Sequence, residues 1–269
     1  LSASRSITQE VRMKKRILIF SLSYFPYVGG AEVAIKEITD RISPDEIEFD
    51  MVTLRFDSSL LRVEKIGNVV VYRLGFSSSN PSARDLVRFP LALNKYLFPF
   101  LAFFKAAKLH TTHRYDAIWS MMANYAGFGA LFFKWRFRAI PFLLTLQEGD
   151  PIEYIKHRVR PVYPLFKRIF THATIIQVIS RYLGSFARDM QFKGPVEVIT
   201  NGVDYKNFQF PISESRREEI KRELGIEAGD TVIITTSRLV PKNGVGDIIE
   251  SLTYLPQNTK LLILGVGPL

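Results

Sequence analysis

The chain has 269 residues, 47% of them hydrophobic and 13% aromatic, with no cysteine and a formal net charge of +10. That apolar fraction excludes wholesale disorder. The missing cysteines exclude a disulfide scaffold, thiolate catalysis and any Cys-ligated zinc or iron–sulfur site. The four histidines, His110, His113, His157 and His172, form no spaced helical ligand pair, so no metal site is expected.

Residues 1–12 are polar and aperiodic, and Met13 opens the run MKKRILIF, so the leading dozen is set apart as a non-native or disordered segment. Arg16–Leu22 predicts a buried strand. A loop with Pro26, Gly29 and Gly30 follows, and Ala34, Ile35, Ile38 and Ile42 then recur at helical spacing until Ser43-Pro44 stops them. Glu48–Leu54 and Val69–Leu74 predict further strands, the second introduced by Gly67-Asn68. Leu86–His110 reads as helix broken near Pro90 and Pro99. Asp116–Met121 and Pro141–Leu146 are strands around a helical Ala123–Phe133. Tyr163–Phe170 is helical, Ala173–Ile179 a strand, Arg181–Met190 a helix capped by Ser180, and Val196–Thr200 a strand. After the Asn201-Gly202 turn come a charged helix over Glu214–Leu224, a strand over Thr231–Thr236, a helix over Val245–Leu255 and a strand over Lys260–Leu264.

Strands alternating with helices predict an α/β fold with a parallel, doubly wound sheet. The pattern pauses near residues 201–213 and restarts. The expected organisation is a first domain over 13–205 and the start of a second over 206–269. Two strands make a marginal core, so the sequence reads as cut inside that second domain.

Three stretches are candidates for chemistry. Gly29-Gly30-Ala31-Glu32 lies between the first strand and the first helix. There, free N–H groups and the positive end of the helix dipole suit an anion, though a plain tight turn explains the glycines equally. The stretch is neither GxGxxG nor a Walker loop. In Ser237–Gly244, Arg238 and Lys242 follow a strand end, placed to clamp a diphosphate or to be solvated loop cations. Asn201-Gly202-Val203-Asp204, with Phe208 beyond, reads as an interdomain turn.

Taken in order, GGAE after the first strand, NGVD with a following Phe, then SRLVPKNG and LLILGVGP resemble the GT-B glycosyltransferases of family 4 (glycosyltransferase group 1). The resemblance runs from about Lys14 to the last residue. It implies two Rossmann-like domains facing across a cleft, the second incomplete here. It also implies transfer of a sugar from a nucleotide-diphospho-sugar, UDP- or GDP-linked, to a glycan or lipid-linked acceptor. The transfer would retain anomeric configuration and use neither metal nor other cofactor. By that resemblance Gly29 and Gly30 adjoin the donor phosphates, and Arg238 and Lys242 neutralise the departing diphosphate.

Three departures stand out. The family's lysine directly precedes the glycine, whereas here Asn243 takes that place and Lys242 falls one earlier. A histidine common in the family is replaced by Gln147, followed by Glu148 and Asp150, which become possible acceptor or sugar contacts. The family's glutamate pair would lie beyond Leu269, so the catalytic residues are unassigned and the fragment is expected to be inactive alone.

Residues 84–140 hold nine basic, two acidic and fourteen aromatic residues. Such a surface suits nucleic acid or anionic lipid headgroups. The resemblance favours docking on the inner face of a membrane through Arg84, Arg88, Lys95, Lys105 and Lys108 with Phe98, Phe100, Phe103 and Phe104. The alternative is that these aromatics fill a core. No apolar run approaches the ~18–20 residues of a membrane-spanning helix. The expectation is a cytoplasmic protein, peripheral on the inner membrane face, with no nucleic-acid partner. Rival readings are a non-catalytic sugar-nucleotide-binding homologue, a basic nucleic-acid-binding α/β protein, and a nicotinamide oxidoreductase, which lacks its glycine fingerprint here.

Overall fold

The computed structural model describes residues 14–82 and 85–269. The leading segment 1–12 and Arg84 of the expected basic surface lie outside the described residues. The chain divides into two compact units, the first ending at Gly202 and the second spanning Val203–Leu269.

In the first unit, β1 (Lys15–Phe20) leads through a glycine loop to α1 (Gly30–Thr39) and β2 (Ile47–Leu54). Then come β3 (Val63–Ile66), β4 (Val69–Leu74), α2 (Asn94–His113), β5 (Ala117–Met121), α3 (Tyr125–Arg136) and β6 (Phe142–Leu146). The unit closes with α4 (Ile152–Val159), α5 (Tyr163–Thr171), β7 (Ile175–Val178), α6 (Arg181–Asp189) and β8 (Val196–Val198). The strands form one eight-stranded sheet in the order β3-β4-β2-β1-β5-β6-β7-β8, parallel throughout except for the β3–β4 hairpin at its edge.

Alternate strand residues supply the two faces of the sheet. Ile19, Met51, Val69, Val71, Trp119 and Met121 pack with Ala31 and Ile35 of α1. Leu18, Phe20, Val52, Ile118, Leu144 and Ile176 pack with residues from α2, α3, α5 and α6. Coverage of both faces explains why these strands read as continuous β-branched and apolar runs rather than as alternating ones.

Two features differ from the sequence expectation. The first is β3 with α4 (VEKI and IEYIKHRV), two short elements that no expected element covered. The second is Pro99, which sits inside a continuous α2 instead of breaking it. The helix is held there by packing. A Cβ on Gly129 of α3 would stand 3.3 Å from the Ala102 Cβ and 3.5 Å from the Pro99 carbonyl oxygen, so the two helices pack closely here and a larger residue would press on Ala102. The start of α2 is pinned as well. Buried Asn94 donates to the Phe76 carbonyl and accepts from the Phe76 amide, both at 2.8 Å. Near its other end, buried Asp50 of β2 accepts from the Tyr115 hydroxyl at 2.6 Å and contacts His113 Nδ1 at 2.5 Å.

In the second unit, α7 (Glu214–Glu223) precedes β9 (Thr231–Thr236), α8 (Val245–Ser251) and β10 (Thr259–Leu264). Here β9 and β10 pair in parallel.

Candidate functional site

Parallel strands end on one edge, so the loops after β1, β5 and β6 gather there. These strands are neighbours, with Phe20 opposite Ser120 and Met121 opposite Thr145. The connections from β1 and from β5 run toward opposite sides of the sheet. That makes the β1–β5 boundary the switch point at which open α/β sheets bind ligands.

At this point the loop before α1 is tied by Glu32. Its carboxylate accepts from the Gly29 amide at 2.8 Å and from the Ser23 hydroxyl at 2.5 Å. The Gly29 amide is thus occupied, and the amides of Gly30, Ala31 and Glu32 have no intrahelical partner, because the first bond of the helix runs from Val33 to Gly29. Gly30 faces Gln147, since a Cβ added at Gly30 would lie 3.8 Å from Gln147 Nε2. The Gln147 side-chain oxygen, Oε1, is buried without a hydrogen-bond partner. Residues more than a hundred positions apart in the sequence, Gly30 and Gln147, therefore close into one small patch.

Glu148 departs from a solvated loop carboxylate. Its carboxyl folds inward, where Oε1 accepts from the Ala123 amide at 2.7 Å while Oε2 is buried with no partner. Burial pushes this carboxyl up to about 7, against the opposing pull of the Ala123 amide. The clamped turn is strained: Met122 has φ 68°, in the left-handed region that non-glycine residues rarely adopt. The turn feeds α3, whose Asn124 side chain caps the Ala126 amide at 2.8 Å. Asp150 lies exposed in the loop ahead of α4 and is already engaged in a contact. It does not share the Gly30–Gln147 patch in any described interaction.

A buried arginine, which sequence reasoning passed over, holds the glycine loop from beneath. Arg73 of β4 donates to the Phe25 carbonyl at 2.6 Å and to the Leu61 carbonyl at 3.3 Å, and pairs with Glu64. Its burial within a strand was the one available signal, because a lone arginine in VVVYRL is unusual for a doubly covered sheet.

In the second unit, Arg238 and Lys242 are both exposed on the loop after β9. Asn243, which replaces the expected lysine, closes that loop, its side-chain amide donating to the Arg238 carbonyl at 2.7 Å. The glycines of LLILGVGP are there for backbone approach. The Leu239 amide donates to the Val266 carbonyl at 3.0 Å, and a Cβ on Gly265 would fall 1.8 Å from the Ser237 carbonyl oxygen. Among the described residues no cluster of three or more His, Cys, Asp or Glu side chains is placed to hold a metal ion.

The model of glycosyltransferase family 4 (Glyco_transf_4) matches residues 28–207, and the chain belongs to that family. TuaC of Bacillus subtilis (strain 168), provisionally designated a teichuronic acid biosynthesis glycosyltransferase, is 28% identical over 130 residues, 48% of this chain and 32% of that protein. Sucrose-phosphate synthase of Thermosynechococcus elongatus superposes with a TM-score of 0.66 at 17% identity, over 93% of this chain and 62% of that one. HepE of Anabaena, solved in complex with UDP and glucose, gives 0.61 at 20% identity over 94% and 61%. The architecture is the mixed α/β, GT-B fold. The chain spans 32% of the length of TuaC and 61–62% of these two solved chains.

Proposed function

We propose that this chain carries the acceptor-side unit and part of the donor site of a retaining glycosyltransferase. In this reading a sugar moves from a UDP- or GDP-linked donor to a glycan or lipid-linked acceptor, with no metal ion. The observation that carries it is the Gly30–Gln147 patch at the switch point of a family 4 chain. A glycine there leaves room for a ligand to approach the Gly30 and Ala31 amides. Beside them Gln147 offers an amide to hydroxyl groups without acting as a base.

Glu32 already places negative charge at the start of α1. A second anion gains less there than at an uncapped helix end. The first unit accordingly offers close backbone contact and hydrogen bonding; in the second unit, taken by itself, Arg238 and Lys242 are the exposed cations suited to neutralise a diphosphate. When the bond from the anomeric carbon to the diphosphate breaks, negative charge grows on the leaving group. Fixed cations stabilise that charge in proportion to its growth.

Two measurements on the protein test this reading. Replacing Arg238 or Lys242 by alanine is expected to weaken UDP or GDP binding by about 10-fold or more each, the worth of a charge-assisted hydrogen bond. Titration calorimetry that detects no nucleoside diphosphate binding by the parent protein overturns the proposal. Binding without sugar transfer or donor hydrolysis would point to the non-catalytic homologue instead. Gly30→Ala is expected to leave thermal stability within about 0.5 kcal/mol, because the added methyl meets only an ordinary contact. It should nonetheless weaken binding of the nucleotide-sugar. Unchanged binding would show that no ligand group approaches this glycine.

A further inference from the structure

The aromatics of α2 divide between core and surface. Phe98 is wholly buried beside Ala102 and Ala106, so it belongs to the core and not to an exposed face. Phe103 is half-buried against that core, whereas Tyr96, Phe100 and Phe104 are exposed. Of these, Tyr96 has partners on two other helices.

Helices α2, α3 and α4 follow the carboxyl ends of β4, β5 and β6, so all three start at the edge that carries the Gly30–Gln147 patch. There, tyrosines and cations meet. The Tyr96 and Tyr125 rings stand edge to face, with centroids 5.5 Å apart at 84°. The Tyr125 hydroxyl hydrogen-bonds with Tyr96 and accepts from the Arg158 guanidinium. That guanidinium lies 5.5 Å from the Tyr154 ring centroid, and the Lys95 ammonium lies 5.0 Å from that of Tyr96. Tyr125 is half-buried, while Tyr96 and Tyr154 are more than half exposed. Tyr125 also comes two residues after Ala123, whose amide bonds Glu148, the neighbour of Gln147. The cluster therefore adjoins the patch, within about 7 Å of chain.

Its charge is one-sided. The sole acid on these three helices is Glu153, which is exposed and bonded to Lys156 at 3.0 Å. No Asp or Glu occurs from Leu86 to Tyr115, from Ala117 to Gln147 or from Tyr154 to Arg188. Among the described residues no carboxylate pairs with Arg158 or Lys95. A guanidinium has five N–H donors, so one oriented by Tyr125 can also fork onto a carboxylate or phosphate. Tyrosine offers a flat apolar ring for the C–H face of a sugar and a hydroxyl for its rim. Single-stranded nucleic acid would need a run of stacking rings along a charged groove, and only two of these rings are open.

We propose that Tyr96, Tyr125 and Tyr154, with Arg158 and Lys95, form an acceptor subsite for an acidic sugar, a glycan residue that bears a carboxylate or a phosphate. The subsite rests on the transferase reading and adds to it the charge of the acceptor. Arg158 and Lys95 take the anionic group, and the exposed tyrosines take the ring.

The test is a ligand-observed NMR titration of the chain with methyl glucuronide, glucose 6-phosphate, neutral methyl glucoside and inorganic phosphate. At least one acidic sugar is expected to bind about tenfold tighter than the glucoside, and the tighter of the two identifies the anion. Arg158→Gln should keep the circular dichroism spectrum, because the side chain is exposed, and bring acidic and neutral sugars within about twofold of each other. Tyr154→Ala should weaken both kinds of sugar alike. Equal binding of acidic and neutral sugars by the parent chain overturns the proposal, as does an unchanged preference in folded Arg158→Gln. Inorganic phosphate that binds as tightly as the acidic sugars overturns it too, by showing a site for anions alone. Tighter binding of oligothymidylate than of any sugar would assign the cluster to nucleic acid instead. UDP binding measured in the same samples separates the two readings. Nucleotide binding without a preference for acidic sugar strikes the subsite and leaves the transferase reading standing.

Discussion

Glu148→Gln is expected to stabilise the protein near pH 8 and to change little near pH 4. Burial holds the folded-state pKa of Glu148 at about 7, above the ordinary glutamate value. Between those two values the folded chain therefore binds more protons than the unfolded one. Stability from this group is present at low pH, falls as the pH rises from the ordinary value, and levels off once the pH exceeds about 7. The full linkage is on the order of 3 kcal/mol. A glutamine oxygen can still accept from the Ala123 amide, and the variant has no charge to bury. Its second amide proton needs a partner, so the net gain near pH 8 is set at about 1–2 kcal/mol. Urea denaturation of both proteins across this pH range measures it. A stability difference that stays constant with pH would show that Glu148 does not titrate in this window.

Arg73→Met is expected to cost about 2–3 kcal/mol, the larger effect of the two. Methionine fills much of the same volume, so the loss reports on polar contacts more than on a cavity. Without the guanidinium the Phe25 and Leu61 carbonyls lose their donor, and Glu64 loses its cation. Glu64 is part-exposed and can rehydrate, which keeps the cost below that of a fully buried broken pair. Phe25 lies in the loop that delivers Gly29 and Gly30, so the damage should localise. Amide exchange should quicken between Ser23 and Gly30 while β5 and β6 keep their protection. Uniform acceleration across the sheet would mean that Arg73 serves global stability alone.

Much of the fold was legible because long segments state their period plainly. RILIF, VVVYRL and FLLTL are mainly apolar runs, as both faces of their sheet are covered. The four motifs in order gave the family. The candidate site was legible in part. GGAE placed a glycine at the head of a helix, and the loop after β6 named Gln147 and Glu148. The different duties of those two neighbours were not readable. One reaches the Gly30 patch and the other is buried under Ala123, and side-chain direction at a strand end follows from what packs around it.

The sequence by itself determined the order of elements, the absence of thiol chemistry, the excess of positive charge and the positions of its glycines, since each rests on local composition or spacing. Only the tertiary structure decided which aromatics of α2 face the core and which face outward, because aromatics occur all round the helix and its few polar residues do not mark one side. It also decided that Pro99 stays within a helix, packed close to Gly129 of α3, and that Arg73 reaches a loop 48 residues away. Such outcomes depend on contacts between segments distant in the chain, and no local pattern of residues encodes them.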